Sequence, residues 1–232
     1  MQNKIYRFKT TIQKIEQIAP DVKHLVINTP QAFSFAPGQF VSIILSINGE
    51  EIRRPYSIAS KPYPESLELC IKILPQGKAT PTINKLQVGD TLEMIGPMGH
   101  FILKESSYDK NLIFIATGTG ITPFRSMAAH LLETGFKNKI TLLVGYRYEE
   151  HALYEHEFTQ LQKTYPHFSY QRILSRPTGN QEKGHVQKLV EKNLDLTAHY
   201  YICGLKEMVN QVKDLLLQKG IEQDQIFFEK YD

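Results

Sequence analysis

Residues 111–123 read "NLIFIATGTGITP". A continuous apolar run meets a glycine-rich turn, and the turn meets a helix-like stretch, "PFRSMAAHLLETG". Such a run fits a strand buried on both faces of a parallel sheet. Thr122 is placed to cap the helix and Pro123 to be its first residue. The helix N-terminus would then offer free N–H groups and a positive dipole end to a pyrophosphate. Thr117, Gly118, Gly120, Thr122 and Pro123 are therefore candidate dinucleotide contacts. Pro123 stands where the GxGxxG fingerprint needs glycine, so the fingerprint itself is not matched. A two-glycine turn alone is also compatible with an ordinary strand–helix junction.

Downstream, strand and helix patterns alternate. "ITLLVGY" is a second buried strand, and it lacks the acidic residue that would hold an NAD ribose. "LYEHEFTQLQKTY" puts Tyr154, Phe158 and Leu161 on one helical face. "FSYQRIL" and "HYYICG" are strand candidates. "LKEMVNQVKDLLLQKG" carries Leu205, Met208, Val209, Val212 and Leu216 at helical spacing, with Gly220 as its C-cap. This alternation implies a doubly wound α/β domain with a parallel sheet.

Upstream the period changes. "IYRFKTTIQKI", "VKHLVI", "QFVSIIL", "LELCIKIL" and "TLEMIG" are short and rich in β-branched residues, and Asn48-Gly49 is a hairpin signal. They predict an antiparallel sandwich or closed barrel. The expected division is 1–105 and 106–232, with the polar stretch "KESSYDKN" (104–111) as linker. A chain of 232 residues holds two domains of about 100 each.

The composition is that of a globular protein, 41% hydrophobic and 22% charged. A net charge of +3 is too weak to argue for nucleic acid and suits an acidic protein partner. The two cysteines, Cys70 and Cys203, lie far apart, against a zinc or iron–sulfur site, so no metal is expected. The eight histidines show no HExxH-like spacing, and His24, His100, His151 and His156 read as surface or packing residues. No run reaches the roughly 18 apolar residues of a membrane helix, and no signal-peptide core is present. The expectation is a cytoplasmic protein without a membrane span.

"RRPYSIAS" (53–60) sets two arginines beside a proline, a tyrosine and a serine. Together with "FAPGQFVSI", "GKATP", "GDTLEMIGPMGHF", "ATGTGITPFRSM", "ILSRP", "YYICGLKEMV" and "FFEKYD", in that order, it resembles the ferredoxin–NADP reductase family of flavoproteins. The resemblance implies a FAD-binding antiparallel β-barrel followed by an NAD(P)-binding α/β domain.

It further implies roles for particular residues. Arg54 would contact the flavin phosphate, with Tyr56 against the isoalloxazine and Ser57 near N5. Pro55, Ile71 and Lys72 would also be cofactor-binding. Gly77, Lys78, Ala79 and Thr80 would cradle the FAD pyrophosphate through N–H groups and the Thr80 hydroxyl. Cys203 would lie beside the nicotinamide C4, and Gly204 would give clearance. Glu229 would bond near Ser57 and Cys203, making Ser57, Cys203 and Glu229 the catalytic set. Tyr231 would cover the flavin face opposite Tyr56, and Asp232 follows it as one residue beyond the family's Glu-x-aromatic ending. Ser175 and Arg176 would receive a 2′-phosphate, with Lys183 and His185 adding a charge and a stacking face. NADPH is favoured, with NADH as the alternative. Arg53 receives no role.

The implied reaction is hydride transfer between NADPH and bound FAD, with electrons passed to an acidic acceptor such as ferredoxin or flavodoxin. Two other readings stay open: an NAD(P)H:flavin reductase with diffusing flavin, and an electron-transfer subunit of a larger redox complex.

Overall fold

The computed structural model describes residues 4–62, 66–179 and 181–231. Asp232 lies outside the described residues. Two compact units emerge. One runs to Ile102 and includes Arg125–His130; the other comprises Leu103–Phe124 and the chain from Leu131 onward.

The first unit contains β1 (Tyr6–Ala19), β2 (Val22–Asn28), β3 (Phe40–Ile47), β4 (Glu50–Ser57), β5 (Ser66–Lys72), the short helix α1 (Thr80–Asn84) and β6 (Thr91–Met98). The six strands form one antiparallel sheet in the order β4-β3-β6-β1-β2-β5. An antiparallel bridge between Ile58 and Leu69 joins the two outer strands, with the Ala59 N–H donating to the Glu68 carbonyl at 2.8 Å. This bridge brings the two outer edges of the sheet together at one end, in the manner of a barrel. Its interior is filled by Leu25, Ile27, Val41, Ile43, Leu67, Leu69 and Met94, all fully buried.

"RRPYS" is the end of β4, the return strand of the Asn48-Gly49 hairpin.

The second unit holds β7 (Leu112–Thr117), α2 (Thr122–Glu133, whose middle belongs to the barrel unit), β8 (Ile140–Tyr146), α3 (Glu155–Thr164), β9 (Phe168–Leu174), α4 (Val186–Lys192), β10 (His199–Leu205), α5 (Lys206–Gln218) and β11 (Ile226–Tyr231). The sheet is wholly parallel, in the order β11-β10-β7-β8-β9. Every residue of β8 is buried, as its unbroken apolar sequence requires. The strand order reverses between β7 and β10, which makes the C-terminal ends of these two strands the topological switch point.

Several local expectations are corrected. Thr122 does not cap α2. A 3₁₀ turn, Gly118–Ile121, precedes the helix; Thr122 already has helical dihedrals, and its hydroxyl donates back to the Thr119 carbonyl at 2.7 Å. Leu205 is 60% exposed and precedes α5, whereas Met208, Val209, Val212 and Leu216 are buried as their spacing predicts. Tyr154 stands outside α3 in a left-handed conformation, and Phe158 carries the burial.

The polar stretch 104–111 is not a free tether either. Ser107 is buried, its hydroxyl lying 2.7 Å from His199 Nδ1 and 2.8 Å from the Tyr201 hydroxyl. The Lys104 N–H also donates to Tyr201 at 2.9 Å. "FFEKY" is β11 itself, the sheet's outer strand, and its Phe227 packs 4.7 Å from the Tyr201 ring.

Candidate functional site

On the barrel, β3 and β4 pair so that Val41 faces Tyr56 and Ile43 faces Arg54. Directly opposed residues share a sheet face. Arg54 and Tyr56 therefore project together, and Pro55 and Ser57 point the other way. Tyr56 packs on the barrel core; burial pushes its hydroxyl up to about 12, against the opposing pull of the Arg54 charge. It stays a neutral ring at any working pH. Arg54 donates to the Arg53 carbonyl at 2.8 Å and has no carboxylate partner among the described residues. Arg53, by contrast, pairs with Glu51 at 2.7 Å, and Glu51 also holds Arg7 at 2.9 Å. Of two adjacent arginines, one is engaged in a surface network and the other is available to an anion.

Two expected contacts change character. Ile71 is fully buried in the barrel core, and Lys72 pairs with Asp21 at 3.2 Å. The Thr80 hydroxyl donates to the Leu74 carbonyl at 2.7 Å and accepts from the Leu74 N–H at 3.0 Å. Its single proton staples the 74–80 loop. The N–H groups of Lys78 and Ala79 are not used by that loop, because neither bonds to the main chain among the described residues. They, with Arg54, form a donor set suited to the phosphates of FAD.

In the second unit the switch point is built by close backbone approach. A Cβ on Gly120 would fall 2.3 Å from the Cys203 carbonyl oxygen. One on Gly204, at φ +146°, would fall 2.5 Å from Thr117 Oγ1. Only glycine fits either position. Thr117 Oγ1 is buried and has no hydrogen-bond partner among the described residues. Orphaned buried hydroxyls are uncommon and call for a partner; this one, at the mouth of a switch point, fits a bound nicotinamide nucleotide.

Beside it, β10 and β11 bring Cys203 opposite Glu229 and Leu205 opposite Tyr231. Cys203 is fully buried. Burial drives its thiol well above the ordinary value, Glu229 adds to this, and a hydrogen bond from Tyr231 opposes both. Cys203 is thus a neutral thiol, unlike an activated nucleophile.

At the far side of the sheet, β8 and β9 end together. The Ser175 N–H donates to the Tyr146 carbonyl and the Arg176 N–H to the Arg147 carbonyl, both at 2.9 Å. Arg176 Nη1 reaches the Tyr148 hydroxyl at 3.4 Å. A parallel bridge between Leu174 and Lys183 brings Lys183 alongside. Arg147, Arg176 and Lys183 make no ion pair among the described residues. Sequence reasoning missed Arg147 and Tyr148. The signal was there, because a basic residue directly follows the second α/β strand where an acidic one was sought. His185 is exposed and stands at the N-terminus of α4.

Among the described residues, no cluster of His, Cys, Asp and Glu could hold a metal ion, and no helix is long and apolar enough to cross a membrane.

Comparison with known proteins agrees with this geometry. Residues 9–102 match the family model of an oxidoreductase FAD-binding domain, and residues 114–214 that of an oxidoreductase NAD-binding domain. Ferredoxin–NADP reductase B of Sorangium cellulosum is 32% identical, with 97% of this chain and 98% of that protein covered. The reductase component DmpP of phenol 2-monooxygenase from a Pseudomonas species is 31% identical over 97% of this chain but 65% of its own length. Among solved structures, the Plasmodium falciparum ferredoxin–NADP+ reductase with 2′P-AMP superposes at a TM-score of 0.83, at 27% identity, covering 97% of this chain and 96% of that one. A reductive FAD- and NAD(P)-binding core, the family resemblance read in the motifs, and whole-length identity to a named reductase converge: this chain belongs to the ferredoxin–NADP reductase family of FAD-dependent, NAD(P)H-linked oxidoreductases.

Proposed function

We propose that this reductase prefers NADPH to NADH and passes electrons from bound FAD to a small acidic electron-transfer protein, a ferredoxin or flavodoxin. The observation that carries the nucleotide preference is the unpaired cationic group Arg147, Arg176 and Lys183 at the ends of β8 and β9. An NAD ribose diol needs a carboxylate acceptor at the end of the second strand, whereas a 2′-phosphate needs guanidinium donors. The solved Plasmodium relative holds 2′P-AMP, in keeping with this reading. The acceptor class rests on the named activity of the Sorangium relative and on the mild basic excess, which favours encounter with an acidic surface.

The bound flavin and nicotinamide supply the hydride and electron chemistry; the protein supplies position. Arg54 and the Lys78 and Ala79 N–H groups would hold the phosphates, and Tyr56 would offer a flat apolar support. Ser57, buried at the end of β4, is assigned to the reacting edge of the flavin. Thr117, with the Gly118–Gly120 turn, receives the nicotinamide nucleotide. Cys203 would border the nicotinamide as a neutral, compact wall, Glu229 would supply a hydrogen-bonding carboxylate next to it, and Tyr231 would offer an aromatic ring at the end of the neighbouring strand. Thr80 acts indirectly, by holding the phosphate loop in shape.

The test is stopped-flow reduction of the bound flavin by NADPH and by NADH. The wild type should react at much lower NADPH than NADH concentration, and Arg176→Ala and Arg147→Ala should each raise the NADPH requirement and leave that for NADH unchanged. Equal NADPH affinity in wild type and Arg176→Ala would overturn the assignment.

A further inference from the structure

Two residues beyond Arg147, the chain carries a carboxylate, Glu149, that a 2′-phosphate site would not tolerate free. Glu149 does not stand free. Arg172, on β9, makes a two-pronged contact: its Nη2 holds Glu149 and its Nε holds Glu155 at 2.5 Å. A hydrogen bond from Gln181, two residues before Lys183, also helps hold the Glu149 carboxyl down. Arg172 is three-quarters buried, its side chain 24% exposed, and it sits in register with Val144 of β8. The same three segments that supply Arg147, Arg176 and Lys183 thus also supply groups that hold Glu149.

We infer that Arg172 is a specificity-determining positioning residue, which sequesters Glu149 and so keeps the nucleotide site selective for a 2′-phosphate over a free ribose 2′-hydroxyl. The inference rests on the NADPH reading above. Its logic is electrostatic and local. A carboxylate released at this position would repel a phosphate dianion and could accept a hydrogen bond from a ribose diol, shifting both affinities in opposite directions. An isolated exposed ion pair contributes little to stability. The role of Arg172 is to direct a charge away from the site, and its rigid planar fork fixes the directions of the two contacts, which a rotatable ammonium does not.

The experiment measures, by titration calorimetry on the FAD-loaded protein, the affinities for 2′-phospho-AMP and for AMP. Arg172→Gln should lower the ratio of the two affinities about three- to tenfold, the scale of one partly screened charge near a dianion. Adding Glu149→Gln to that variant should restore the ratio, and adding Glu155→Gln should not. Arg172→Lys should fall between, and it serves in place of Arg172→Gln should the latter fail to fold. Failure of Glu149→Gln to restore, or equal restoration by Glu155→Gln, would mean that Arg172 acts only by its own charge, and the inference falls. A wild-type ratio near one would instead overturn the NADPH reading itself, a distinct outcome.

Discussion

Gly120 lies against the main-chain carbonyl of Cys203, so that a single added methyl would sit 2.3 Å from that oxygen. The contact joins the turn after β7 to the end of β10 across the switch point. The neighbour is backbone, which cannot rotate away. Gly120→Ala should therefore destabilise the α/β unit by about 1–3 kcal/mol and weaken nucleotide binding. Urea unfolding followed by circular dichroism, with 2′-phospho-AMP titration, checks both effects.

Thr117→Val should move two observables in opposite directions. The orphaned hydroxyl costs the ligand-free protein desolvation without a partner. Its removal should raise the melting stability of the nucleotide-free protein by about 1 kcal/mol or more. If that hydroxyl bonds the nucleotide, NADP+ affinity should fall about three- to tenfold. Thermal melts with and without NADP+ give both; a lower melting stability without nucleotide contradicts the first effect.

Arg54→Ala should lower FAD affinity about 10- to 100-fold, the range for losing a charge-assisted hydrogen bond to phosphate. Arg54 has no ion pair to lose, so the flavin-free barrel should unfold at nearly unchanged urea concentration. Arg53→Ala, which breaks the Glu51 pair instead, should leave flavin affinity near wild type. Flavin retention on gel filtration separates the two.

Acid should act on the barrel through Glu68. Burial raises the Glu68 carboxyl, but His24 and Arg125 outweigh it and hold it down to about 2. His24 Nε2 lies 3.4 Å away, and Arg125 both pairs with Glu68 and donates to the Ala59 carbonyl at 3.0 Å. A carboxyl lowered on folding contributes stability that is complete above its unfolded value near 4.5 and is lost as pH falls toward about 2. Unfolding curves between pH 5 and about 2 should show this loss in wild type, and Glu68→Gln should be less stable at neutral pH and flatter across that window.

Much of the architecture is legible in the sequence. The change from β-branched runs to buried strands alternating with helices marked two folds, and Met208, Val209, Val212 and Leu216 announced the buried face of α5. The ordered motifs carried the family and most candidate residues, because a ligand-holding turn must keep its residue types close together in sequence. The misreadings were local competitions decided by backbone geometry. Thr122 had the composition of a cap, yet the 3₁₀ turn before it moved the helix start and turned its hydroxyl backward. Thr80 had the hydroxyl of a phosphate ligand, yet Leu74 claims it.

The sequence by itself determined the elements, their periods and the chemistry on offer. Tertiary structure decided which groups are spent and which are free. Adjacent Arg53 and Arg54 differ because strand alternation sends one toward Glu51 and the other beside Tyr56. Arg147 joins Arg176, and Arg172 reaches Glu149, because parallel pairing of β8 and β9 aligns strand ends some 30 residues apart. Charge and hydrogen-bond partners across such distances depend on register, a property of the folded sheet rather than of any single stretch of chain.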